Sequence, residues 1–157
     1  MKKALRILIF VLVCELAGFV GSVFTTPSIP GWYAGLVKPS FNPPNWIFAP
    51  VWTILYVLMG IAAYLVYDKG LRRKDVRKAL AVFAGQLVLN ALWSIIFFGA
   101  HEILGAAVVI LILWGLIAAT IWLFSRISKV AAFLLVPYIL WVSFATVLNI
   151  SLYVLNR

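Results

Sequence analysis

The sequence predicts an all-α integral membrane protein, a bundle of five transmembrane helices with a structured first loop. Three observations carry that expectation. Hydrophobic residues make up 66% of the 157-residue chain and charged residues 11%, with a mean hydropathy of +1.12. A soluble domain of this size could not hide so much apolar side chain, so lipid is its natural solvent. Five apolar stretches, near 5–25, 46–67, 79–99, 103–123 and 131–153, are long enough to cross about 30 Å of hydrocarbon at 1.5 Å per residue. Finally, the breaks between them segregate charge. Five spans put Lys2, Lys3, Arg6, Lys69, Arg72, Arg73, Lys74, Arg77, Lys78, Arg126 and Lys129 on one side, and leave only Lys38 and Arg157 on the other. By the positive-inside rule the amino terminus is cytoplasmic and the carboxyl terminus external. An even number of spans would scramble that asymmetry.

The formal charge of +9 is therefore read as a topology signal and not as a nucleic-acid footprint. One domain, 1–157, accounts for the length. Cys14 stands alone in an apolar run, which excludes a disulfide framework or a cysteine-based metal site. One histidine (His101) and four carboxylates leave few parts for hydrolytic or metal chemistry, so no metal is expected.

Residues 1–22 have the general shape of a signal peptide, but Glu15 interrupts the apolar run and the stretch is long enough to span. Ala17 with Gly21 and Gly18 with Ser22 form a small-xxx-small surface that suits either intramolecular packing or a homodimer. Glu15 is a carboxylate deep in a span, a functional candidate by its position, with no basic residue inside a span to pair with it.

The loop 26–45 holds Pro27, Pro30, Pro39, Pro43 and Pro44. Each removes a backbone donor, and Pro39 and Pro43 also bias Lys38 and Asn42 away from helix. Such a segment cannot sit in hydrocarbon with its amides and carbonyls unpaired. Trp32, Tyr33, Phe41 and Trp46 would suit an interfacial aromatic belt. Set among these prolines they read better as a lid over the bundle.

In the second span Trp52, Tyr56, Gly60 and Ala63 recur on one side. The third places Gln86, Asn90, Trp93, Ser94 and Phe97 on one face, which must turn away from lipid. For Gln86 interhelical hydrogen bonding and a cavity are equal readings, whereas Asn90 beside Trp93 points to a pocket. The fourth span follows the short break at 99–102. In the fifth, Pro137, Trp141, Ala145, Leu148 and Leu152 share a face. Aromatics from separate helices facing small residues would make a flat-walled slot for a large planar ligand, or simply fill a tight bundle; spacing alone does not separate the two. Leu148, Tyr153 and Arg157 satisfy a weak cholesterol-contact pattern. The glycosylation sequon at Asn149 falls inside a span and is discarded.

The run WYAGLVKPSFNPPNWIFAPVW at 32–52, followed by LYVLMG, resembles the hallmark of the translocator protein family, TspO and the peripheral-type benzodiazepine receptor. GQLVLNALWSIIFFGA (85–100) and PYILWVSFATVLN (137–149) are similar to its third and fifth helices, so the likeness covers essentially the whole chain. It implies a five-helix bundle, often a homodimer, whose first loop covers a pocket for porphyrins, sterols and synthetic isoquinoline or benzodiazepine ligands. Carried over by position, the pocket would take Ala49, Val51 and Trp52, then Asn90 and Trp93, then Trp141, Ala145 and Leu148, with Trp32 in the lid. Trp52 and Trp141 resemble the tryptophans tied to light-dependent porphyrin breakdown in bacterial members. Phe41 stands where many relatives carry Trp, and Gly105 where animal members carry a ligand-contacting Trp, which puts animal-like drug affinity in question.

The expected function is a membrane receptor that binds a protoporphyrin- or haem-like tetrapyrrole as ligand, with sterols as further candidates and no required cofactor. The rivals are a light- and oxygen-dependent porphyrin-degrading enzyme using Trp52 and Trp141, a transporter, and a stress regulator docking a partner through the basic 68–78 loop. The charge bias fits a prokaryotic cell membrane, whereas eukaryotic relatives occupy mostly the mitochondrial outer membrane.

Overall fold

Helices account for the secondary structure of the described residues, 2–157, in this computed structural model. They are α1 (Lys3–Ser28), α2 (Phe48–Tyr67), α3 (Lys74–Ser94), α4 (Ile103–Ser125), α5 (Lys129–Leu134) and α6 (Val136–Asn156). Five helical segments, with α5 and α6 counted as one, are long and apolar enough to cross a membrane. α1 packs on α2 and α3, α3 on α4, α4 on α5 and α6, and α5 back on α2. The spans thus close in the order 1–2–5–4–3.

Sequence explains the irregularities. The first helix runs through Pro27 to Ser28, so the first loop begins three residues later than its prolines suggested. A proline in the last turn forfeits only one intrahelical bond. A π-helical segment, Ile95–Gly99, continues α3, with the Ala100 N–H donating to the Ile95 carbonyl at 2.9 Å. The fifth span, expected as one helix, breaks at Leu135, two residues before Pro137, because proline has no N–H to offer the Phe133 carbonyl. Gly70 closes the charged turn at φ 102°, a backbone region that disfavours any side chain.

Close approach is set by glycine. A Cβ on Gly60 would lie 2.5 Å from the Val11 Cα, and one on Gly18 would lie 2.4 Å from the Tyr56 ring. These contacts bring α1 against α2 at backbone distance. Gly18 and Gly21 of the small-residue surface are therefore used inside the chain, where Gly21 faces Ser94. The core runs through Met59, Ala62, Ala63 and Val66 of α2, all fully buried, to Ile110, Leu113 and Ile117 of α4. Outward faces carry exposed Leu12, Leu16, Val23, Leu104, Val108, Leu111, Leu140 and Val147, the surface a lipid solvent requires.

Candidate functional site

The first loop is tied down at both flanks of the bundle. Tyr33 is buried, and its hydroxyl donates to Asn42 Oδ1 at 2.8 Å. Burial pushes its phenol above the ordinary tyrosine range, with the Asn42 bond pulling the other way. Lys38 donates to the Ala34 and Leu36 carbonyls and lies over the Tyr33 ring at 4.9 Å. The Val37 N–H and carbonyl both pair with the Asn156 side chain at 2.9 Å, fastening the loop to the end of α6. Ser28 donates to the Phe98 carbonyl at 2.6 Å. Trp32 stacks on His101, centroids 4.3 Å apart and 12° from parallel.

Beneath this loop lies a cavity of about 480 Å³, within the usual range for small-molecule sites. α1 contributes Gly18, Gly21, Ser22 and Thr25, and α2 contributes Phe48, Ala49, Trp52 and Tyr56. Trp93, Ser94, Phe97 and Phe98 come from α3 and its π segment, and Trp141, Ala145, Leu148 and Asn149 from α6. The π segment carries the consecutive Phe97 and Phe98, both on the wall. Phe97 stacks on Trp93 at 5.2 Å, and Trp52 stacks on Tyr56 at 5.7 Å. Exposed Phe19, Ser22 and Thr26 face exposed Ala49 and Thr53, so the cavity is open sideways between α1 and α2.

From Tyr56 on the wall a directional hydrogen-bond chain runs into the core behind the cavity. The Tyr56 hydroxyl donates to Asn90 Oδ1 at 2.5 Å, Asn90 Nδ2 to the Tyr138 hydroxyl at 2.8 Å, and Tyr138 to Gln86 Oε1 at 2.7 Å. All four residues are buried. On the wall, Trp93 Nε1 donates to Asn149 Oδ1 at 2.9 Å, while Trp141 Nε1 is buried without an acceptor.

Six of the nine positions carried over from the resemblance meet on this wall: Ala49, Trp52, Trp93, Trp141, Ala145 and Leu148. Three do not. Val51 is turned about 100° from Trp52 on the helix and lines a separate outer groove between α2 and α6 with Leu140 and Phe144. Asn90 sits a turn deeper than Trp93 and Ser94, its amide taken up by the two tyrosines. Trp32 stays at the loop's flank because its neighbour Tyr33 takes the inward position and His101, at φ 57°, offers it a parallel ring. Sequence reasoning gave α1 no wall role. The signal was there in Glu15, Gly18, Ser22 and Thr25, small and polar positions recurring at helical spacing.

The sequence profile of the TspO/MBR family matches residues 10–155. This chain belongs to the TspO/MBR family. It is 44% identical over 155 residues to the tryptophan-rich protein TspO of Chlorobaculum tepidum, covering 99% of this chain and 98% of that protein. Human translocator protein is 44% identical over 142 residues, 89% of this chain and 83% of its own length. The tryptophan-rich sensory protein of Cereibacter sphaeroides is 41% identical over 125 residues, 80% and 77% of the two chains. The family and the five spans make this an integral membrane protein.

Proposed function

We propose that this protein binds a flat, largely apolar tetrapyrrole of the protoporphyrin type in the cavity under its first loop. The observation that carries the reading is the wall itself: Trp52, Trp93, Trp141, Phe97 and Tyr56, from three different spans, bound one space between them. Aromatic faces supply stacking and apolar burial, and a few polar atoms orient the ligand. The unpaired Trp141 N–H would take a ligand acceptor, since a buried donor without a partner is costly. The sideways opening would admit a membrane-dissolved ligand without lifting the loop. The charge distribution supports a prokaryotic cell membrane with a cytoplasmic amino terminus. The resemblance adds a homodimer and sterol-like ligands to the reading.

Titrating purified protein with protoporphyrin and following tryptophan quenching tests it. Trp141→Ala and Trp52→Ala should each weaken binding by roughly tenfold, the scale of a lost aromatic contact with its burial. Unchanged affinity in both would refute the site. A second reading, oxygen-dependent photochemical breakdown of the porphyrin, is favoured by Trp52 and Trp141 both lying on the wall. Replacing both with Phe and illuminating the complex should then suppress turnover; undiminished turnover would rule it out.

A further inference from the structure

The proposed tetrapyrrole contacts leave a carboxyl on the cavity wall unused. The wall residues of α1 descend from Ile29 at the loop end to Glu15, fourteen positions or roughly 21 Å along the axis. Glu15 therefore stands at the inner end of the cavity, one turn below Gly18 and the Tyr56 ring. Its Oε1 is buried and has no hydrogen-bond partner. The Tyr56 hydroxyl is committed to Asn90, and Cys14 is packed in the core. The one ion pair among the described residues joins Arg73 to Asp75, beyond the span. A carboxyl at this depth is costly, and an unpartnered buried oxygen adds to the cost.

We infer that Glu15 is a docking point for a protonated amine or another strong N–H donor on the bound molecule. The cavity accordingly takes flat apolar ligands that carry such a group at their deep edge, and disfavours ligands that present a carboxylate there. The inference rests on the cavity being a ligand site. Applied to a tetrapyrrole, it sets orientation: carboxylate substituents point toward the loop, and the edge that reaches Glu15 is free of negative charge. A ligand carboxylate there would bring no donor to the Glu15 oxygen, whereas a protonated amine supplies a charge-assisted bond.

Three probes with one ring system separate these statements. Full-length protein in phosphatidylcholine nanodiscs is titrated with 1-methylpyrene, 1-pyrenemethylamine and 1-pyrenecarboxylate, following tryptophan quenching in wild type and Glu15→Gln. The amine should bind wild type at least about tenfold tighter than methylpyrene, the scale of a hydrogen bond to a charged group. Glu15→Gln should remove that advantage, improve the carboxylate, and leave methylpyrene within about twofold. Lipid partitioning is the same for both proteins, and retained methylpyrene binding reports an intact cavity. An amine preference that survives Glu15→Gln, or that wild type never shows while methylpyrene binds, overturns the inference alone. No quenching by any probe overturns the ligand site itself.

Discussion

Gly18→Ala joins the packing of the bundle to the shape of its cavity. The added Cβ would lie 2.4 Å from Tyr56 Cε2 and 2.7 Å from Cδ2, where ordinary contact begins at 3.4 Å. The ring must retreat by about 1 Å to restore that contact. It has little freedom to do so, because it stacks on Trp52 and its hydroxyl is held 2.5 Å from Asn90. A retreat of that size directed away from Asn90 would stretch the hydroxyl bond to at most roughly 3.5 Å, the edge of a hydrogen bond. Overpacking of this kind costs about 1–3 kcal/mol, and an interhelical hydrogen bond in a membrane adds about 0.6 kcal/mol. We therefore expect Gly18→Ala to destabilise the protein by about 2–3 kcal/mol in detergent unfolding followed by circular dichroism, and to weaken porphyrin binding as Tyr56 shifts on the cavity wall. Gly31→Ala, with nothing within 4 Å, should change stability by less than about 0.5 kcal/mol. In a Tyr56→Leu background the ring is gone, and the cost of Gly18→Ala should largely vanish. An equal cost in both backgrounds, or no cost in either, would refute the reasoning.

Further outcomes follow from the same geometry. Asn90→Leu removes the bonds to Tyr56 and Tyr138 together and should cost about 1–2 kcal/mol in the same unfolding assay, more than Gln86→Leu, which cuts only one strong bond. Asn156→Ala releases both Val37 bonds at the loop's edge, so ligand dissociation by stopped-flow quenching should quicken severalfold while global stability moves by less than about 1 kcal/mol. Burial raises the Tyr33 phenol, so the neutral ring is the form the loop packs. Its contribution is intact below about pH 10 and is lost as pH climbs through the raised value. Unfolding measured from pH 8 to 11 should show wild type losing stability relative to Tyr33→Phe only at the alkaline end.

The five spans were legible because lipid imposes them: length, hydropathy and the sidedness of Lys and Arg each respond to the bilayer directly. The inward faces of α2, α3 and α6 were legible for a related reason, since Trp52, Trp93 and Trp141 share helical faces with small or polar residues. Position along a face was harder. Asn90 and Trp93 lie on one stripe, yet Asn90 is held in the core and Trp93 lines the wall, a difference set by where Tyr56 and Tyr138 reach across from other helices. Val51 was carried over by alignment with a family motif, and a helical wheel centred on Trp52 would have turned it outward. The contribution of α1 was missed because its small residues were weighed only as packing. Gly18 and Gly21 do pack, against Tyr56 and Ser94, and the same approach lets their helix close the cavity. No local pattern announced the π segment that carries Phe97 and Phe98.

The seven tryptophans offer a direct test of whether the space under the first loop receives the tetrapyrrole. Trp52, Trp93 and Trp141 line the cavity, whereas Trp46, Trp114 and Trp122 are exposed on the outer surface. With 5-fluorotryptophan incorporated throughout and each resonance assigned by substitution, protoporphyrin should shift the three inner fluorine signals and leave the three outer ones in place. Shifts confined to Trp46, Trp114 or Trp122, with the inner signals unmoved, would mean that the porphyrin adheres to the lipid-facing surface and that the cavity is not its site.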